Sequence, residues 1–521
     1  MANVRKFCTA GPVRPEWHYL LSPLERLDLP LLMGLIADGK YFVLHAPRQT
    51  GKTSCLGALT AHLNSTGAYR AIYVNLEPGQ AARDDLAVAM RSIAYEIGAE
   101  ALRTLGDPFP ESVRERVLAA AGPVGSLRAL LAEWAAHSPL PLVVLFDEVD
   151  SLVGDSLISL LRQIRSGYVD RPSGFPQSVV LCGVRDVRDY RIHGTKEIVT
   201  GGSAFNIKAE SLRLGDFTPE QIRELYQQHT ASTGQVFDEA VYPLVWRYTR
   251  GQPWLVNALA YEACFRMPDG MDRARPVTAA VVEQAKENLI LRRDTHLDQL
   301  SDKLREDRVR RVMQPIVSGE DRQPEEQSDD ANYAIDLGLI RRGPEGLEIA
   351  NAIYAEVIPR EMTFEVQTDL LGTHKTAWYV DDRGRLDMHG LMKAFQQFFR
   401  ENSEHWLQRF DYREAGPQLL MQAFLQRIVN GGGRIDREYG LGRRRTDLLI
   451  QWKDQRVVVE LKLLHKSLDA TIEAGLRQTA GYMEIAGAAE GHLVIFDRRS
   501  EAGWDRKIFH RMEGAISVWG M

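Results

Sequence analysis

The sequence predicts an α/β protein made of a parallel sheet, an all-helical segment and a second, smaller α/β domain. Three observations carry that reading. Apolar runs of strand length alternate with helical patterns from Tyr41 to Cys182, strand signals stop after Phe217, and a new helix, strand, turn, strand, helix, strand order begins near Ala415. Strands that alternate with helices imply parallel pairing with both sheet faces covered.

The chain has 521 residues. Single hydrophobic cores stop growing near ~250 to 300 residues, so two to four domains are expected. With 44% hydrophobic and 26% charged residues the composition is that of an ordinary globular protein, without low-complexity bias. No internal repeat of fixed period is present.

Taken in order, residues 41–44 (Tyr-Phe-Val-Leu) read as a buried strand, interrupted by Pro47 and Gly51, with a helix from Lys52 onward. Further buried strands follow at 71–75, 142–146 and 179–182, separated by helices at 84–97 and 126–136. Beyond Phe217, Thr218-Pro219-Glu220 opens one helix with proline in its first turn, and Gly251-Gln252-Pro253 opens another, which reads as a helical lid. A helix at 332–339 followed by strand, turn and strand at 339–349 suggests a winged helix. Its interior loop, 318–332, is strongly acidic and a poor surface for a DNA backbone, so the module is read as packing or regulatory.

Residues 362–386 lack clear periodicity and read as a connection, and a helix at 388–404 belongs to either side of it. The last domain reads as a helix at 417–429, Gly431-Gly432-Gly433, two strands, a helix at 470–485 and a strand at 492–496. The expected boundaries are 1–215 for the first α/β domain, 216–293 for the lid, 294–361 for the winged helix, 362–410 for connecting helices and 411–521 for the last domain.

A net charge of -6 does not announce a nucleic-acid binder, so any DNA contact must be local. Arg434, Arg437, Arg443, Arg444 and Arg445 form such a basic patch, although a solvated charged turn accounts for them equally well. Cys8, Cys55, Cys182 and Cys264 are far apart, which argues against a zinc ribbon or disulfide framework and for a reducing, cytoplasmic setting. No run reaches the roughly 18 to 20 apolar residues of a membrane span, and the first residues lack an apolar signal core, so neither membrane partner nor targeting is expected.

Chemistry concentrates at two places. Ala46-Pro47-Arg48-Gln49-Thr50-Gly51-Lys52-Thr53 matches G-x-x-x-x-G-K-[ST] except for Ala46, and Ser54 follows it. Amides around Gly51 can cradle phosphates at a helix N-terminus, Lys52 can neutralise β/γ charge, and the Thr53 hydroxyl can ligate Mg²⁺. The apolar strand 142–146 ends in Asp147 and Glu148, where Asp147 would hold the Mg²⁺ shell and Glu148 would polarise the attacking water.

With the strand leading to Arg185 and with Gly251-Gln252-Pro253, these elements resemble the AAA-like P-loop ATPases of the STAND and archaeal-ATPase group. That resemblance covers roughly residues 1–360. It implies a P-loop NTPase sheet that binds ATP, Arg185 in the sensor position near the γ-phosphate, and Pro253 in the lid facing the nucleotide. The sequence departs from that group in having no unambiguous arginine finger, although Arg162, Arg165 or Arg171 could serve in trans if protomers of a homo-oligomer meet there.

The second place lies near the C-terminal end. Asp447 precedes the strand Leu448-Leu449-Ile450, and Val457-Val458-Val459 leads into Glu460-Leu461-Lys462. Carboxylates on adjacent strands can converge on one Mg²⁺, and Lys462, two residues after Glu460, shares its face of the strand. The pattern resembles the PD-(D/E)XK nuclease family and implies a restriction-endonuclease-like domain, with Gln478 and Tyr482 as an accessory Gln-x-x-x-Tyr and Mn²⁺ as an alternative metal. Thr446 stands where the family has proline, a residue without chemistry.

Together the motifs predict an ATPase that controls an Mg²⁺-dependent nuclease acting on DNA, an architecture that by analogy serves defence against phages and mobile DNA. The rival reading is a regulatory ATPase switch whose C-terminal domain binds nucleic acid without cutting it. A DNA translocase is a third.

Overall fold

The structure is a computed structural model. It describes residues 5–83, 85–185, 191–193, 198–200, 205–292, 300, 302–318, 328–344, 346–362, 379–381, 383–409, 421, 424–425, 434–437, 448–464, 467–497, 499 and 503–521. The chain forms two compact units, residues 1–292 with 335–338, and residues 293–334 with 339–521.

The first unit is built on a parallel sheet. Its strands are β1 (Tyr41–His45), β2 (Arg70–Asn75), β3 (Leu142–Asp147), β4 (Ser178–Gly183) and, after a short hairpin of β5 (Arg191–His193) and β6 (Ile198–Thr200), β7 (Lys208–Arg213). The sheet order is β2-β3-β4-β1-β7, with every pair parallel. β3 and β4 are buried at every position, which is why they read as unbroken apolar runs.

Successive side chains in a strand point to opposite faces, and the core divides accordingly. Tyr41, Val43, Val144, Phe146, Val179 and Leu181 pack on one side with α3 (Leu86–Leu105), α4 (Phe109–Ala121), α5 (Ser126–His137) and α6 (Gly154–Gly167). Phe42, Leu44, Val143, Leu145, Val180 and Cys182 face α1 (Leu29–Ala37) and α2 (Lys52–Ser65).

The expected start of α3 at residue 84 moves inward by two residues. Asp85 is instead its N-cap, its side chain accepting from Val88 N, so the first helical residue is Leu86. The strand β7 and the helices α1 and α4 were not anticipated.

The lid helices begin where expected. Thr218 and Gln221 form a reciprocal capping box at the start of the helix Pro219–Thr233. Gly251 sits at φ 81°, and a Cβ there would lie 1.9 Å from Phe217 O, so the turn needs glycine. Gln252 then caps the helix Pro253–Phe265 by accepting from Leu255 N at 2.6 Å.

In the second unit, β8 (Ile340–Gly343) and β9 (Gly346–Ile349) form an antiparallel hairpin. The helix before it spans Asp329–Asp336 rather than 332–339, and its last residues, with Gly338, belong to the first unit. Ser328 Oγ accepts from Ala331 N at its start, and Gly338 at φ 75° stops it early. Arg308 and Arg311 pair with Asp330, and Arg341 pairs with Glu348, so these arginines are committed within the unit. The remainder of the acidic loop, 319–327, lies outside the described residues.

A mixed six-stranded sheet organises the rest of this unit, in the order β10 (Arg434–Arg437), β11 (Leu448–Trp452), β12 (Gln455–Leu463), β13 (Glu490–Phe496), β15 (Ile516–Gly520), β14 (Phe509–Glu513). β12 is central, antiparallel to β11 and parallel to β13. The helix Leu468–Ala486 covers one face. From the helix Met388–Arg409, Phe395 and Phe399 reach Phe496, and Gln396 Nε2 donates to Gly520 O at 2.7 Å. Of the helix expected at 417–429 only 421, 424 and 425 are described, all helical. Glycines 431–433 lie outside.

Candidate functional site

The strand order puts β4 between the strand that leads into the glycine-lysine loop and the strand that ends in two acids. This is the arrangement of a P-loop NTPase sheet, and it brings Ala46–Thr53 and Asp147 together at the carboxyl ends of β1 and β3, where open α/β sheets hold ligands. The loop ends at Gly51, left-handed at φ 89° and N-cap of α2. Gln49 is also at positive φ, 58°. The first amides of α2 therefore face out of a tight turn, ready for an anion.

Thr53 Oγ1 donates to Asp147 Oδ2 at 2.8 Å, and Tyr73 OH donates to the same oxygen at 3.0 Å. Asp147 Oδ1 accepts from Glu148 N at 2.9 Å, so this fully buried carboxylate has three donors. Lys52 Nζ donates back to Ala46 O at 3.0 Å and Pro47 O at 3.2 Å. The ammonium is thus held under the loop it would serve.

Glu148 adopts φ 54°, ψ 42°, a left-handed conformation that costs a non-glycine residue of order 1 kcal/mol and collects at functional positions. Burial pushes its carboxyl above the ordinary range, with Asp150 and Asp147 adding to the rise and Lys52 and Arg48 opposing it. Burial, then the charge of Asp147, likewise raises the Tyr73 phenol.

Beside the loop lies a cleft whose mouth opens to solvent. Its walls come from three parts of the unit: the N-terminal residues 8–23, the loop Gln49–Gly51 with Ser54, and the lid residues Phe217, Pro253, Trp254 and Asn257. The N-terminal strap is tied to the lid, since Trp254 Nε1 donates to Thr9 O at 2.8 Å and Cys8 N to Asn257 Oδ1 at 3.2 Å. It is tied to α2 as well, through Val13 N to Ser54 Oγ at 3.3 Å.

Among the expected residues, Gly51, Lys52, Thr53, Ser54, Asp147, Glu148 and Pro253 therefore surround the loop and its cleft. Arg185 follows β4 by two residues and is partly buried. Of the arginines considered for action in trans, Arg171 lies over the Tyr168 ring at 3.3 Å, while Arg162 and Arg165 are exposed on α6. Tyr73 and the strap were missed. A polar aromatic near the carboxyl end of an otherwise apolar strand was the available signal for Tyr73, and the strap carried none.

In the second unit Glu460 is fully buried on β12, and among the described residues its carboxylate has no polar partner other than the Lys462 ammonium. Lys462, on the same face, forms an ion pair with Glu460 and donates to Gln478 Oε1 at 2.7 Å. Gln478 Nε2 donates to Tyr482 OH at 3.2 Å, one turn along the covering helix. Asp447, Arg443, Arg444, Arg445, His465 and Lys466 lie outside the described residues. Among the described residues no three or more His, Cys, Asp or Glu side chains form a ready-made metal cage.

No protein-family model matches the chain, and no curated protein matches it. Among solved structures it is similar to the Walker-type ATPase PABY2304 of Pyrococcus abyssi, at 16% identity over 68% of this chain and 99% of that one, with a TM-score of 0.44. It is also similar to Cdc6p from Pyrobaculum aerophilum, at 17% identity over 66% and 93% with a TM-score of 0.36. A third is the Thermotoga maritima RuvB Holliday junction branch migration motor, at 13% identity over 64% and 94% with a TM-score of 0.33.

Proposed function

We propose that the first unit binds and hydrolyses ATP, and that nucleotide there controls an Mg²⁺-dependent phosphodiester-cleaving site at Asp447, Glu460 and Lys462. The observation that carries the first half is the junction of Thr53 with Asp147 beneath the Gly51 turn. A hydroxyl and an anion held together beside a phosphate-binding turn fit Mg²⁺, which takes few protein ligands and keeps waters and substrate phosphates around it. Bound there, Mg²⁺ would neutralise charge on the transferred phosphoryl group. Glu148 orients and polarises the attacking water, Lys52 pairs with the phosphate oxygens, and Arg185 and Pro253 complete the sensor and lid contacts.

Glu460 supports the second half. A buried carboxylate is costly unless cations compensate it, and the Lys462 ammonium, its one partner among the described residues, leaves oxygen lone pairs to spare. Asp447 precedes Leu448 in sequence and Glu460 follows Val459, the residues that pair across β11 and β12. A hard divalent cation, Mg²⁺ or Mn²⁺, fits that donor set and would activate water and stabilise charge on the phosphate. Lys462, held by Gln478, is positioned to meet that phosphate or the nucleophile. The substrate is read as DNA, the setting as cytoplasmic, and the assembly as a homo-oligomer acting in defence against foreign DNA. Among the described residues no helix is long and apolar enough to cross a membrane. The domain limits of 1–215, 216–293, 294–361, 362–410 and 411–521 belong to the same reading.

The test is cleavage of supercoiled and linear DNA with Mg²⁺ or Mn²⁺, with and without ATP, beside Lys52→Ala and Glu460→Ala. Cutting that is lost in Glu460→Ala and altered in Lys52→Ala supports the reading. ATP hydrolysis without cutting under any condition favours a nucleotide switch that only binds nucleic acid.

A further inference from the structure

We propose that Arg26 contacts the sugar-proximal phosphate of the nucleotide in the cleft while bridging the phosphate loop and the lid hinge. The proposal rests on reading that cleft as the ATP site. Among the described residues lining the cleft, Arg26 is the one that carries a charge. It closes a short 3-10 turn, Pro23–Arg26, and reaches two separate parts of the unit. Nη1 donates to Thr50 O in the phosphate loop, and Nη2 donates to Gly215 O at 2.6 Å, between β7 and the first lid helix. The guanidinium lies over Phe217, 4.9 Å from the ring centre.

Gly51 makes room for it, because a Cβ there would lie 2.8 Å from Arg26 Nη1. The glycine thus serves both the left-handed turn and the cation's approach.

The fork is not saturated. A guanidinium carries five N–H groups, and among the described residues two hydrogen bonds to backbone carbonyls leave three, including a buried Nε without a partner. Among the described residues no carboxylate forms an ion pair with it, and Asp216 acts on it only at longer range. Burial accordingly pushes its pKa down. A partly buried cation with spare donors, in a cleft with no other charged residue among the described ones and beside a phosphate-binding turn, is matched by a phosphate oxygen. Ser54, whose hydroxyl bonds the strap, brings α2 to the same wall.

The test compares binding of ATP, AMP and adenosine to the full chain by calorimetry, for wild type, Arg26→Lys and Arg26→Met. The expected result is that wild type binds AMP at least tenfold more tightly than adenosine. Arg26→Met should lose that preference while keeping its adenosine affinity within twofold, and Arg26→Lys should recover part of it. A structural role alone would weaken all three ligands together, and that result overturns the proposal. So does an unchanged preference in Arg26→Met. If wild type binds none of the three, the reading of the cleft itself fails, and the proposal with it.

Discussion

Thr53 and Asp147 are 94 residues apart in sequence and share a hydrogen bond of 2.8 Å. The bond spans the carboxyl ends of β1 and β3, with β4 between them, so it depends on the whole strand order rather than on either motif. Tyr73 enters from β2 on the other side and donates to the same oxygen.

That third contact yields a first prediction. Tyr73→Phe keeps the ring and removes one of three donors to a buried carboxylate, a loss of about 1.5 to 3 kcal/mol for a hydrogen bond to a charged group. Thermal denaturation should show the destabilisation. In ATPase assays the Mg²⁺ concentration for half-maximal rate should rise severalfold. An unchanged Mg²⁺ requirement would show that Thr53 and the Glu148 amide hold Asp147 unaided.

Glu148 combines a left-handed backbone with a carboxyl raised by burial. A folded-state pKa above the unfolded value means that the native state binds its proton more tightly. Stability from this group is therefore present below the unfolded pKa and lost as pH rises through the folded pKa. Glu148→Gln should melt higher than wild type at neutral pH, with the difference shrinking as pH falls. It should bind ATP yet lose hydrolysis by about a hundredfold or more. The wild-type rate should fall on the acid side at a pH above the usual carboxylate range.

The lid hinge can be tested by two glycines with nearly the same φ. Gly251 at 81° would place a Cβ 1.9 Å from Phe217 O, whereas Gly234 at 79° has nothing within 4 Å of its Cβ position. Gly234→Ala should cost about 1 kcal/mol of backbone strain. Gly251→Ala should cost several times that, because backbone must move, and should weaken ATP binding with it. Equal melting temperatures for the two variants would contradict the hinge geometry.

The sheet of the first unit was legible because β1, β3 and β4 are buried on both faces and so read as continuous apolar runs. β7 was not, since Lys208–Arg213 is a polar edge strand whose pairing with β1 is decided by the tertiary fold. The same division runs through the site. Lys52 and Thr53 belong to one local loop, and Glu460 and Lys462 share a strand face at spacing two, so a pattern reveals them. Arg26 meets Thr50 across 24 residues and Tyr73 meets Asp147 across 74, and no spacing rule joins either pair. Asp147 was found as an acid ending a strand, but the two side chains that fix it come from helix α2 and from strand β2.

Glu460 and Lys462 permit the most discriminating prediction. The carboxylate is fully buried and the ammonium mostly so. Lys462→Met should leave an uncompensated buried charge and cost about 3 to 5 kcal/mol. Glu460→Gln should cost less, because the ammonium it leaves behind keeps its hydrogen bond to Gln478 and is partly solvated, whereas the carboxylate is fully buried. The double variant should recover most of the loss, and the mismatch measures the coupling. Mg²⁺ or Mn²⁺ then separates a structural ion pair from a metal site. A cation bound by Glu460 in the native state raises the melting temperature in proportion to its occupancy. That rise should be retained in Lys462→Met, where the cation replaces the missing charge, and be absent in Glu460→Gln. Identical metal responses in all variants would assign Glu460 to folding alone and leave the C-terminal unit without a cutting site.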